Sequence, residues 1–358
     1  MIKFGDRVVG DGNPIFITCE AGPTHEGVKD AKLLIDYAAD AGADAIKFQI
    51  LDPDRLIADK KQLFTYEVLV DKETDKRETI SEPLYDIMCR RALSENEWHE
   101  VKKHADQRNI AFFATIGFFE EVDMMERFGC DSIKIASADV THFPLIKKAA
   151  KTGMCLQIDT GNSTIGEIEE AVEIIRGEGN ENIIIHHCPT GYPAKLQGIN
   201  LNIISTLKQF FDYPVAFSDH SPGWDMDIAA VTLGANLVEK TITFDRTIRS
   251  VEHIMSLEPK DIRQFVEVMR NMPIVFGNKR RLMSAEEREK SMSMRRSVFS
   301  LREITSGETI KEEMLDYRRP GFGIPPSKVN KLIGSTVLKD IPAGEMINWS
   351  DIDINNVL

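Results

Sequence analysis

Positive charge, long apolar runs and patterned cysteine are all scarce in this chain of 358 residues, and each scarcity removes a class of function. Lys and Arg number 44 against 57 Asp and Glu, a formal net charge of -13, which argues against nucleic acid or an anionic membrane as partner. An anionic small molecule would then have to sit in a locally positive pocket. No apolar run approaches membrane-spanning length and no basic-then-apolar leader opens the sequence, so the expected compartment is the cytoplasm. The five cysteines (Cys19, Cys89, Cys130, Cys155 and Cys188) are scattered, odd in number and without CxxC spacing. Several fall in apolar strand-like runs, the pattern of reduced core thiols and not of a disulfide framework or a zinc site.

What is present is an ordinary globular composition, 42% hydrophobic and 28% charged, enough for a sizeable core. After a short hairpin-like start (Ile2 to Val9), apolar strand-like runs alternate with helical patterns. The runs are Ile15–Cys19, Ala45–Phe48, Ala111–Ala114, Ser132–Ile135, Cys155–Ile158, Ile183–Ile185, Val215–Phe217 and Leu237–Glu239. Eight such units over roughly 260 residues predict an α/β fold, a (β/α)8 TIM barrel. A doubly wound open sheet is the rival, disfavoured by the regular repeat and the lack of a Gly-rich dinucleotide loop. The barrel is expected over 1–276, a solvated, partly helical linker over 277–295, and a small mostly-β domain over 296–358. Residues 51–93 interrupt the rhythm after the second strand, as a lid or an oligomer contact would. In the tail, Ile304-Thr305-Ser306-Gly307-Glu308 is echoed by Ile341-Pro342-Ala343-Gly344-Glu345, two Gly-containing turns that predict internal pseudo-symmetry.

Polar residues gather where the apolar runs stop, the end of a barrel strand at which catalytic groups sit. The seventh run ends in Ser218-Asp219-His220, followed by a turn at Pro222-Gly223. Glu20, Lys47, Gln49, Thr115, Lys134, Ser137, Asp139, Asp159, Tyr192, Glu239, Lys240 and Thr241 occupy comparable positions. Taken singly, a strand-end Ser, Thr or Asp is more often a helix cap. Lys47, Lys134 and Lys240 are different, because a lysine in an apolar strand is costly without a counter-charge. Either the three ammonium groups surround a bound phosphate or carboxylate, or Glu20, Asp139, Glu239 and Glu252 close them into a structural ion-pair network.

In their order along the chain these residues resemble the sialic acid synthase (N-acetylneuraminate synthase) family, phosphoenolpyruvate-dependent synthases of nonulosonic acids. The resemblance rests on Glu20–Gly27, Gly42–Gln49, Lys134-Ile135-Ala136-Ser137, His187-Cys188 with Tyr192-Pro193, Ser218-Asp219-His220 and Glu252-His253. Arg295-Arg296-Ser297 and Arg318–Ile324 resemble the antifreeze-like (SAF) domain that closes those proteins. The resemblance implies condensation of phosphoenolpyruvate with an N-acetylmannosamine-like aldose. Lys47, Lys134, Ser137 and Ser218 would hold phosphoenolpyruvate, with Gln49, Thr115, Asp139, Asp159 and Lys240 around the substrates. Glu20 and Tyr192 would contact reacting groups, Glu252 would serve sugar hydroxyls or metal-bound water, and Arg319 would reach a sugar N-acyl group from a domain-swapped homodimer partner. A divalent cation (Mn2+ or Mg2+) is implied as cofactor, with His220 as ligand.

The chain departs from the family pattern at the mouth. Thr241 stands where the family has the second metal-binding His, Asp159 replaces a Ser, and Ile116 and Thr190 also differ. Asp159 is the expected hard-oxygen replacement for the ligand Thr241 cannot supply. Two other readings stay open: the same chemistry on a different sugar aldehyde, and a binding or assembly protein that keeps the fold without turnover.

Overall fold

The computed structural model describes residues 1–353. The chain divides into two compact units, the first ending at Phe276 and the second beginning at Gly277. In the first unit every predicted apolar run is a strand: β1 (Phe16–Glu20), β2 (Ala45–Gln49), β3 (Ala111–Ile116), β4 (Ser132–Ile135), β5 (Cys155–Asp159), β6 (Ile183–His187), β7 (Val215–Asp219) and β8 (Leu237–Thr241). They are parallel, pair in chain order, and close β8 onto β1 with Leu237 opposite Phe16 and Thr241 opposite Glu20. The TIM barrel is therefore observed. Most strands run past the last apolar residue into the polar ones, so Glu20, Gln49, Asp159, His187, Asp219 and Thr241 are strand residues and not loop residues.

Eight helices follow the strands: α1 (Val28–Ala41), α2 (Glu95–Gln107), α3 (Phe119–Arg127), α4 (Phe143–Lys151), α5 (Ile165–Gly177), α6 (Asn202–Phe210), α7 (Asp225–Thr232) and α8 (Pro259–Phe276). Their starts are written locally. Ser94 with Glu97 opens α2 and Thr164 with Glu167 opens α5, each a reciprocal capping box that satisfies two orphan N–H groups. The buried helix faces, such as Leu34, Ile35 and Ala38 on α1 and Ile168, Val172 and Ile175 on α5, pack on the outward strand residues. At the lower end the hairpin Ile2–Phe4/Arg7–Val9 places Phe4 against Phe16 and Phe113, with ring centroids 4.8 and 5.3 Å apart. That plug leaves the other end, where the strands finish, to hold a site.

The segment after β2 is a long β-hairpin, Leu63–Asp71 paired with Lys76–Pro83. Tyr66 and Val68 of the hairpin form a small core with Ile87 and with Val251 of the loop after β8. The first unit's upper face thus carries a built wall. No helix among the described residues is long and apolar enough to cross a membrane.

In the second unit, the helix Ala285–Met294 buries none of its side chains and precedes a core of Val298, Ile304, Ile310, Leu315, Ile324, Leu332, Ile341 and Ile347. The two echoing turns pair with each other: Ile304 and Ile341 exchange backbone hydrogen bonds of 2.9 and 2.8 Å. Their glycines, Gly307 and Gly344, both have positive φ, 86° and 80°, which is why each turn carries one.

Candidate active site

Strand parity decides which polar residues meet. Side chains alternate between the barrel interior and the helices. On β8 this turns Glu239 and Thr241 inward and Lys240 outward; on β7 it turns Ser218 inward and Asp219 outward. The interior residues form a charged cluster. Glu239 Oε1 accepts from Lys47 Nζ at 2.8 Å and from Lys134 Nζ at 2.7 Å, and Oε2 accepts from Lys134 at 2.8 Å. Lys134 also pairs with Asp159 Oδ2 at 3.0 Å and donates to Ser218 Oγ at 3.0 Å. Lys47 is in addition ion-paired to Glu20, the strand neighbour opposite it in register.

All of these groups are buried, Lys134 completely. Burial works against the charge of Lys134, but Asp159 and Glu239 outweigh it and hold its pKa above the usual lysine value. Burial likewise opposes ionisation of Glu239, yet Lys134 and Lys47 pull it well below the ordinary carboxylate range. Lys47 goes the other way: desolvation lowers its pKa, the neighbouring Lys134 charge adds to that, and Glu239 and Asp159 do not make up the difference. Of the two inward lysines, Lys47 is therefore the one whose charge burial disfavours, and the one with more to gain from an anionic ligand.

Beneath this layer Ser132 donates to the Cys155 carbonyl at 2.8 Å and accepts from Gln157 at 2.9 Å, and Gln157 Oε1 meets His186 Nε2 at 2.7 Å. Burial and the nearby Lys134 push the His186 pKa down to about 3, so the ring is neutral and, with Nε2 donating, its Nδ1 is an acceptor 2.9 Å from Ser218 Oγ. Ser218 has one proton for two acceptors, His186 Nδ1 and Asp159 Oδ1, the latter at 3.0 Å.

Above the cluster opens a cavity of about 310 Å³. Glu20, Lys47, Gln49, Thr115, Ser137, Asp139, Asp159, Tyr192, His220 and Glu252 all line it. Gly22 is required where the chain leaves β1: a Cβ there would lie 2.6 Å from Gln49 and from Glu20 Oε1, and the same closeness lets the Gly22 N–H donate to Glu20 at 2.6 Å. On one wall His220 uses Nδ1–H to donate to the Pro189 carbonyl at 3.0 Å, which leaves Nε2 as an acceptor. Its ring lies against Tyr192, centroids 4.7 Å apart.

Lys134 and Ser218 lie under the cavity and reach it through Asp159 and Glu239. Lys240 is not part of it. Its ammonium, turned away from the interior, is ion-paired with Asp219 and lies 3.7 Å from Asp227 of α7. The expectation of three lysines around one mouth is thereby corrected to two, because Lys240 has the opposite parity. Asp159 is also not where a replacement metal ligand was expected: it is committed to Lys134 and Ser218. The carboxylate beside Thr241 is that of Glu252, whose Oε2 accepts from Thr241 Oγ1 at 3.4 Å. Arg319 is an exposed residue of the second unit.

Among the described residues no three His, Cys, Asp or Glu side chains are gathered as a metal cage. The donors that do face the cavity, His220 Nε2 and the carboxylate of Glu252, fit a divalent cation that keeps most of its positions open to substrate and water. The residue that sequence reading underweighted is Glu239, the hub of both inward lysines. Its signal was present, since an acid next to a lysine in a buried strand must face the opposite way. The lining from the segment after β2, Leu51, Asp52, Leu56 and Met88, had no such signal.

Comparison with known proteins accords with this geometry. Residues 34–281 match the NeuB family and residues 295–353 match the SAF domain. An uncharacterized protein of Methanocaldococcus jannaschii is 34% identical over 98% of both chains. The N,N'-diacetyllegionaminic acid synthase of Campylobacter jejuni is 32% identical over 92% of this chain and 98% of its own. Among solved structures, the N-acetylneuraminic acid synthetase of Leptospira borgpetersenii superposes with a TM-score of 0.69 at 30% identity, covering 81% of this chain and 94% of that one. The chain belongs to the NeuB family of nonulosonic acid synthases and ends in a SAF domain.

Proposed function

We propose that this chain joins phosphoenolpyruvate to the open-chain form of an N-acetylmannosamine-like aldose, giving a nonulosonic acid and inorganic phosphate. The observation that carries this reading is the pair of buried ammonium groups, Lys47 and Lys134, bridged at the floor of one cavity by the Glu239 carboxylate. Such a pair, with the hydroxyls of Ser137, Ser218 and Thr115 and the amide of Gln49, suits a small multiply charged anion held in one pose. C3 of phosphoenolpyruvate forms the new bond to the aldehyde carbon, whose oxygen takes up a proton. Water adds to C2 and loses a proton, and the C2–O bond to phosphate breaks. Glu20, fixed by Lys47 and Gly22 at the cavity wall, is assigned the proton transfer. A divalent cation at His220 would polarise the aldehyde as a Lewis acid. Asp139 and Tyr192 are assigned to the acceptor side. Arg319 is assigned to the acceptor's N-acyl group across a domain-swapped homodimer, contributed by the second copy.

The test is phosphate release from phosphoenolpyruvate over a panel of aldoses, phosphorylated and not, with and without Mn2+. Release with an N-acylated hexosamine is expected. Absence of release with every acceptor sinks the reading in favour of a non-catalytic scaffold, and release only with other aldehydes reassigns the acceptor.

A further inference from the structure

The cavity has an electrostatic problem. Six carboxylates line it, Glu20, Asp52, Asp139, Asp159, Glu239 and Glu252, against one lysine, Lys47. Lys134 beneath adds one more positive charge, already matched by Glu239 and Asp159. An anion held by Lys47 and Lys134 still faces Asp52, Asp139 and Glu252, carboxylates that neither lysine engages, and a cation entering with it would offset them. The protein's own uncommitted donors show where that cation would sit. His220 presents Nε2 as an acceptor, because Nδ1 is spent on the Pro189 carbonyl. Glu252 is 7% exposed, and the only hydrogen bond its carboxylate accepts among the described residues is the long one from Thr241 to Oε2. Thr241 itself offers a neutral hydroxyl, a weak ligand. Glu252 also holds a left-handed backbone, φ 75°, a costly conformation for a non-glycine residue. The Ser256 hydroxyl holds the Glu252 carbonyl at 2.7 Å, and Val251 is clamped in the hairpin's small core. A buried carboxylate that forms no ion pair among the described residues, with Arg91 acting on it only from a distance, and in a conformation its neighbours enforce, is built to receive something.

We propose that Glu252 is a direct ligand of a divalent cation, paired with His220 Nε2, so that this chain binds its metal through one nitrogen and one carboxylate. The inference rests on the proposed reaction only for the anionic substrate. One imidazole nitrogen and one carboxylate, with the remaining positions left to water and substrate oxygens, suit Mn2+ or Mg2+ over softer ions.

The experiment counts Mn2+ bound by full-length protein, using the electron paramagnetic resonance signal of the free ion, for the wild type, Glu252→Gln, Thr241→His and the double variant. Glu252→Gln is expected to weaken Mn2+ by at least about tenfold, and adding Thr241→His to it to restore most of the affinity. Wild-type affinity in Glu252→Gln, or no Mn2+ bound by the wild type, overturns the assignment. Should Glu252→Gln fail to fold, the wild type grown with 13C-labelled glutamate decides: a carboxylate 13C coupling to bound Mn2+ is expected, and its absence overturns the assignment. Phosphate release on the same samples separates the two claims. Mn2+ bound through Glu252 without phosphate release overturns the reaction alone; release with unchanged Mn2+ affinity in Glu252→Gln overturns the ligand assignment alone.

Discussion

Two buried charge clusters lie back to back on the last two strands of the barrel. Ser218 faces Glu239 across the ladder on the inner side, and Asp219 faces Lys240 on the outer side. The inner cluster opens onto a cavity, shares the Glu239 carboxylate between two lysines, and buries Lys47 deeply enough to disfavour its charge despite Glu20 and Glu239. The outer one is sealed under α7, with Lys240 on Asp219 and on the Ser221 carbonyl. Buried charge by itself therefore does not mark a site. A cluster whose charges are shared, and which borders empty space, is equipped for a ligand; one whose charges are matched against helix packing is equipped for folding.

The largest effect expected from that contrast is on activity. Lys47→Met removes the inward ammonium that lines the cavity and whose charge burial disfavours, while Lys134 still holds Glu239. We expect kcat/KM for phosphoenolpyruvate to fall by about 10³-fold, the scale of losing one fixed charge-stabilising donor. Steady-state phosphate release measures it, and a thermal melt should show that the variant folds. A loss under tenfold would erase the distinction drawn between the two clusters.

The mirror experiment on the outer face is Lys240→Met. It leaves Asp219 buried without its cation and should cost about 3–5 kcal/mol of stability, the usual penalty for breaking a buried pair. Denaturant titration reads the loss. Well below the midpoint, activity per folded molecule should equal that of the wild type. A raised KM for phosphoenolpyruvate at unchanged stability would put Lys240 back in the mouth.

Strand parity also explains what was legible in the sequence. The barrel was readable because eight apolar runs alternate with helical patterns, and their order left one closed topology. Ten of the cavity-lining residues were readable as polar groups at strand ends. Lys240 was misplaced because position along a strand was read without asking which face it takes, although Glu239 beside it supplied the answer. The place of Glu252 beside Thr241 is not legible in the sequence, since that contact depends on a left-handed turn that no local pattern announces. Residues 51–93 stand out in the sequence as a lid or an oligomer contact, but the hairpin Leu63–Pro83 and its seat on Val251 do not, because that seat depends on a residue far along the chain.

A third prediction turns on pH. Asp227 has both carboxyl oxygens buried and without a hydrogen bond, and burial together with the adjacent Asp219 raises its pKa well above the ordinary aspartate value. A group whose folded pKa is raised supports folding below its unfolded value and loses that support as pH rises towards the folded one. Relative to Asp227→Asn, the wild type should therefore lose stability as pH climbs from about 4, by about 1.4 kcal/mol per pH unit until Asp227 ionises in the fold. Paired denaturant titrations between pH 4 and 8 measure the slope. Parallel curves for the two proteins would mean that Asp227 is ionised in the fold and that the outer cluster is a charged triad.

The smallest expected effect is also the most discriminating, because it compares neighbours in the chain. Ser218→Ala deletes a hydroxyl that accepts from Lys134 and has one proton to offer Asp159 or His186. Lys134 keeps Glu239 and Asp159, so the fold should lose only about 1 kcal/mol, the net worth of an ordinary hydrogen bond. Activity should fall by about tenfold, equivalent to about 1.4 kcal/mol in the transition state, and chiefly through KM for phosphoenolpyruvate if the hydroxyl orients the bound anion. Asp219→Asn, one residue on, replaces the partner of Lys240 and should reverse that profile, with a larger loss of stability and no change in KM. If both variants changed KM alike, the division of labour between the two faces of β7 would fail, since residues of opposite parity would then be acting on the same ligand.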